Sequence, residues 1–167
     1  SQSNISVQKT YVPDDNFESY LEANGMGDGI ANNDYVTSAN ISGVTFLDVN
    51  NQNIADLTGI EDFTSLTYLN CNFNQITRLD IRQNTALNHL KCKYNNLNSL
   101  DLRNGNNISI SGFTARDNPN LTCISVDNPN WSTANWTNID SHTSFSNDCG
   151  GGFEDFTNSN AINSFTD

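Results

Sequence analysis

Apolar residues between positions 44 and 127 recur at fixed intervals rather than in one cluster. Leu66, Leu69, Cys71, Asn74 and Ile76 read L-x-x-L-x-C-x-x-N-x-I. Leu87, Leu90, Cys92, Asn95 and Leu97 repeat the phrase 21 residues later. Ile110, Phe113, Ala115 and Asn118 repeat it after a further 23, with Leu121 one place late. Val44, Leu47, Val49, Gln52 and Ile54 form a weaker copy with Gln in the Asn slot. A second half-phrase follows each copy: Leu79 and Ile81, Leu100 and Leu102, Ile124 and Val126. A period near 20 residues predicts stacked structural repeats, each burying its neighbour's apolar side chains. Within a copy the alternation predicts a short strand, with Leu69 and Cys71 inward and Tyr68, Asn70 and Asn72 outward. Asn74, Asn95 and Asn118 are predicted to line the turns as a structural ladder, because an amide can both donate to and accept from turn backbone.

The repeated words "LxxLxCxxNxL" and "LDI" or "LDL" resemble the leucine-rich repeat, specifically its short bacterial form, over residues 41–127. "YVPDDNFESYLEANG" resembles that group's lead-in, and "NPNLTCISVDNPNWSTANWTNID" its closing segment. The resemblance implies an α/β repeat fold: a right-handed solenoid with a parallel sheet on one face, a helical N-terminal cap and a disulfide-tied C-terminal cap. It implies four parts: a lead-in and cap over 1–40, about four repeats over 41–127, a C-terminal cap over 128–149, and a Gly-rich linker opening a further module over 150–167. It also implies a secreted or cell-surface protein that binds other molecules and carries out no catalysis.

The caps can be read from their residues. "PDDNFESYLEANG" predicts a short helix capped by Asp14 or Asp15, with Phe17 and Leu21 on one face and Asn24-Gly25 as its stop. A closing helix is predicted around "STANWTNID". Cys71 and Cys92 share an inward repeat position and act as small apolar residues; they stack, but a ladder seldom meets disulfide torsions. Cys123 aligns with the outward Arg78 and Ser99, and Cys149 follows the closing helix. A Cys123–Cys149 bridge would staple that helix over the last repeat and would require an oxidising compartment.

Charge then directs attention to one face. The 167-residue chain has a formal charge of -12, which excludes nucleic acid as a partner of the whole surface. No apolar run approaches the ~20 residues of a bilayer span, so membrane insertion is not expected. Yet six of the seven Lys and Arg residues fall between 78 and 116. Aligning the repeats gives outward columns: Phe46, Tyr68, His89, Gly112; then Asp48, Asn70, Lys91, Thr114; then Asn50, Asn72, Lys93, Arg116. Phe73 and Tyr94 lie beside them. The candidate ligand-binding set is therefore Tyr68, Asn70, Asn72, Phe73, His89, Lys91, Lys93, Tyr94 and Arg116.

No cofactor is implied. Aligning "NGMGDGIANND" as a calcium loop puts Met26 on a ligand position and Tyr35 in place of the bidentate Glu, so no metal is assigned. Asp80 and Asp101 share a repeat position, and any repeated residue has their spacing, so the pair is no catalytic dyad. The reading is an adhesion or recognition module binding a protein through the sheet face. The alternatives are an anionic-polysaccharide module using the basic residues, or a spacer. A face ~20 Å wide predicts weak binding strengthened by multivalency, and a monomer.

Overall fold

A computed structural model describes residues 5–151 and 153; the expected start of a further module lies largely outside these. The lead-in holds β1 (Lys9–Tyr11), α1 (Asp15–Ala23), β2 (Tyr35–Thr37) and α2 (Ser38–Ile41). The repeats supply β3 (Phe46–Asp48), β4 (Tyr68–Asn70), β5 (Arg78–Asp80), β6 (His89–Lys91), β7 (Ser99–Asp101), β8 (Gly112–Thr114) and β9 (Cys123–Ser125). The chain closes with α3 (Pro129–Asn135) and β10 (Ser144–Ser146).

The repeats, with β10 from the closing segment, build two four-stranded sheets with parallel pairing, ordered β3-β4-β6-β8 and β10-β9-β7-β5. The expectation of a sheet on one face is thereby extended. The "LDI" and "LDL" half-phrases alternate as the first phrases do, and so form strands of their own. Leu47, Leu69, Leu90 and Phe113 line the inside of the first sheet; Leu79, Leu100 and Ile124 line the second. All are at most 8% exposed, and burial of each such side chain contributes ~1.5–3 kcal/mol. The first repeat makes no second strand. Gly59, at φ 105°, turns the chain into a 3-10 turn at Ile60–Asp62. A Cβ at Gly59 would stand 2.8 Å from Val12 Cγ2 and 2.9 Å from the Tyr11 carbonyl, so the cap's approach requires glycine.

The asparagine ladder forms as expected. Asn95 Nδ2–H donates to the carbonyls of Cys71 (2.9 Å) and Cys92 (3.2 Å), while its Oδ1 accepts from Ile76 N–H. Asn74 and Asn118 do the same one rung either side. Each amide ties its own turn to the turn before it.

The caps extend these interactions. Asp14 Oδ1 accepts from Asn16 and Phe17 N–H at the start of α1, and its Oδ2 accepts from Ala55 and Asp56 N–H in the first repeat. Phe17 and Leu21 are fully buried, and Phe17 stacks on Phe63. At the other end, Asp140 accepts from Asp117 and Asn118 N–H, both 2.9 Å. The closing helix starts earlier than expected, because Asn128 caps it and Pro129 suits its first turn. Trp136 then packs on Phe113 and donates its indole N–H to the Ile110 carbonyl. Cys123 and Cys149 are disulfide-bonded, fixing the chain beyond β10 to β9.

Candidate functional site

The outward columns of the first sheet lie in the register the repeats imply: Phe46, Tyr68, His89 and Gly112 are direct neighbours, as are Asp48, Asn70, Lys91 and Thr114. Parallel strands place identical repeat positions side by side, so this face consists of ladders. Phe46 and Tyr68 stack at 4.4 Å and 9°, and His89 continues the column 6.0 Å from Tyr68. The column ends at Gly112, where a Cβ would lie 2.3 Å from His89 Cδ2. The imidazole thus occupies the place of the missing side chain. Asn88 Oδ1 sits 2.7 Å from His89 Nδ1 and orients the ring.

The cations flank the aromatics. Lys91 Nζ lies 5.4 Å from the Tyr68 centroid, and Lys93 Nζ lies 5.8 and 5.6 Å from those of Phe73 and Tyr94. Phe73 and Tyr94 stack at 4.6 Å, 47% and 46% exposed. Among the described residues, no carboxylate lies within ion-pair distance of Lys91, Lys93 or Arg116. One expected member leaves the set. Asn72 is buried, and its Oδ1 accepts from Lys93 N–H at 2.9 Å. Its Oδ1 thereby holds the turn beneath the face. Asn70 is half-buried, and its Oδ1 accepts from Asn72 N–H. Phe46, 60% exposed, joins the face; its place in the Tyr68 column was the available signal.

The second sheet is arranged differently. Asp80 and Asp101 are neighbours on β5 and β7. Arg82 Nη2–H donates to Asp80 at 2.8 Å, and Arg103 Nη2–H donates to Asp101 at 2.5 Å. A longer contact of 3.7 Å joins Arg82 to Asp101. The carboxylates raise the pKa of both guanidiniums. The local excess of cations in the sequence therefore divides: Arg82 and Arg103 pair with aspartates on the second sheet, while among the described residues Lys91, Lys93 and Arg116 on the first meet no carboxylate. Repeat counting alone could not separate these two groups, because it does not show which side chains reach each other.

Other reactive groups have structural roles. Burial pushes the Cys71 thiol up to about 12 and the Cys92 thiol well upward, so both are inert. Asp15, Glu18 and Asp34 are the carboxylate cluster nearest a metal-binding arrangement among the described residues. Glu18 already accepts from Asn33 and Asp34 N–H. A groove of about 460 Å³ runs beside β5, lined by Leu57, Ile60, Glu61 and Arg78, with Phe153 lying 4.5 Å from the Arg78 guanidinium. Glu61 accepts from Gly59 N–H, and burial raises its pKa.

No protein-family model matches the chain. Over 74 residues, 44% of its length, the chain is 42% identical to internalin J of Listeria monocytogenes, of which the match covers 8%. The functional domain of InlJ from Listeria monocytogenes, which includes a cysteine ladder, superposes with a TM-score of 0.56 and 28% identity. That superposition covers 86% of this chain and 29% of the other. The chain has the leucine-rich repeat fold and is similar to internalins over its repeats. An internalin from the same species, inlF, aligns at a TM-score of 0.48 and 23% identity, over 71% of this chain and 32% of that one. The chain spans less than a third of the length of these internalins. No described helix is long and apolar enough to cross a membrane.

Proposed function

We propose that the outward face of the first sheet is a recognition surface for a protein partner, in a secreted or surface-displayed adhesion protein. One contrast supports this reading above all: among the described residues the first sheet leaves Lys91, Lys93 and Arg116 without ion pairs beside exposed rings, while on the second sheet Asp80 and Asp101 are paired with Arg82 and Arg103. Exposed aromatics beside cations are the composition of a protein-binding hot spot. The likeness to internalin J supports the same reading. Four short strands make a face below standard interface size, so the isolated domain binds weakly and gains from multivalent display. Stacked rings with lysines also suit an anionic polysaccharide, which is the second reading.

The test is adhesion of the multivalently displayed domain to cells. Trypsin treatment of the cells, or Lys91→Glu with Lys93→Glu, is expected to abolish it; Ser99→Glu on the second sheet is expected to leave it intact. Adhesion that survives trypsin but not removal of cell-surface anionic glycans would replace the protein reading with the polysaccharide one.

A further inference from the structure

Where the first sheet's strands enter their turns, four successive rungs place Asn51, Phe73, Tyr94 and Asp117 in the left-handed region, at φ 56°, 56°, 55° and 61°. Asn and Asp tolerate that conformation because their short side chains bond locally; for a bulky aromatic it is a strained outlier. The turn therefore favours the residue types of the outer rungs, yet the two middle rungs carry rings. The core does not explain them, since both rings stand about half exposed. Their mutual stacking offsets part of the strain. Strain retained at an exposed position points to a role outside the fold.

We infer that Phe73, Tyr94 and Lys93 form the anchor point of the binding face, taking a partner segment that carries a carboxylate beside an aromatic or other flat apolar side chain. This rests on the first sheet being the recognition surface. The Lys93 ammonium is nearly equidistant from both rings and has no carboxylate partner among the described residues. Lys91 and Arg116 extend the positive row along the same face, while its anions, Asp48 and Asp117, lie at the outer rungs. A partner carboxylate is attracted to the middle of the face, and a flat group beside it meets the ring pair.

The experiment measures binding of the whole chain to an immobilised glutamate–tyrosine copolymer, with polyglutamate and alginate alongside. Variants are Phe73→Asn with Tyr94→Asn, Lys93→Gln, and Lys91→Gln with Arg116→Gln. The copolymer is expected to bind more tightly than polyglutamate. The double asparagine variant is expected to weaken copolymer binding about tenfold or more, while its melting temperature stays level or rises. Lys93→Gln is expected to weaken binding likewise. A lower melting temperature with parental binding would make the rings structural and overturn the inference. Binding lost only in Lys91→Gln with Arg116→Gln would overturn this anchor and leave the recognition face standing. Copolymer binding indifferent to every variant would overturn both. Retention on alginate without retention on the copolymer, or no copolymer binding at all, would overturn the anchor as described.

Discussion

The two sheets arise from the same repeat and present opposite surfaces. On the second, every rung of the Asp80–Asp101 column meets an arginine two residues ahead in its own turn. On the first, the equivalent outward rungs carry lysines that point past the rings and meet no carboxylate among the described residues. A charge answered within the fold stabilises the solenoid. A charge left without a partner, beside half-exposed aromatics, contributes little to stability and remains available to a partner. On the proposed reading, the Arg–Asp pairs belong to the architecture and the lysines to recognition.

The largest expected effect concerns the end of the second sheet. Replacing Cys123 and Cys149 with alanine removes a link across 26 residues, which should cost about 3 kcal/mol in urea unfolding. Amide exchange should rise in β9 and β10 and stay unchanged in β3 and β4. Asn95→Ala attacks what both sheets share. It leaves the Ile76 N–H without its side-chain partner and removes one of the two amide donors from each of the Cys71 and Cys92 carbonyls, a loss of about 3 kcal/mol by the same measurement.

Smaller effects sharpen the contrast. Arg103→Ala strips Asp101, which is 2% exposed, of its close partner; Arg82 remains at 3.7 Å, so the expected cost is about 2 kcal/mol. Lys91→Ala and Lys93→Ala should each change stability by less than about 0.5 kcal/mol. The smallest effect lies outside both sheets. Lys9 bonds to Asp28 and holds its carboxyl at about 2, below the ordinary 3.8. A carboxyl whose folded pKa is depressed contributes its stability above the unfolded value and loses it as pH falls through the folded one. Lys9→Gln should therefore lie below the parent in stability above pH 4, and the two should converge as pH falls towards 2, read by acid unfolding.

Much of this was legible in the sequence, for a physical reason. A solenoid repeats one environment, so alignment of the repeats places Tyr68 beside His89 and Asn70 beside Lys91 without any coordinates. The asparagine ladder followed from the same alignment, and the Cys123–Cys149 pairing from the outward place of Cys123 in it together with the position of Cys149 after the closing helix. What stayed hidden depended on reach and backbone angle. Asn72 alternates outward by period two, but the chain is already turning there, and its side chain folds under Lys93 N–H. The left-handed angles at Phe73 and Tyr94 run against the preferences of those residues, so no propensity could suggest them. The second sheet was written in the "LDL" words, yet only the paired register shows that its aspartates and arginines answer one another.

The division of labour between the sheets is most directly tested by neutralising matched pairs: Lys91→Gln with Lys93→Gln on the first, Arg82→Gln with Arg103→Gln on the second. Each variant is measured both for urea stability and for binding of the folded protein to the glutamate–tyrosine copolymer. The lysine pair should lose binding and keep its stability, and the arginine pair should lose stability and keep its binding. The reverse assignment, or equal loss of both properties in the two variants, would contradict the account.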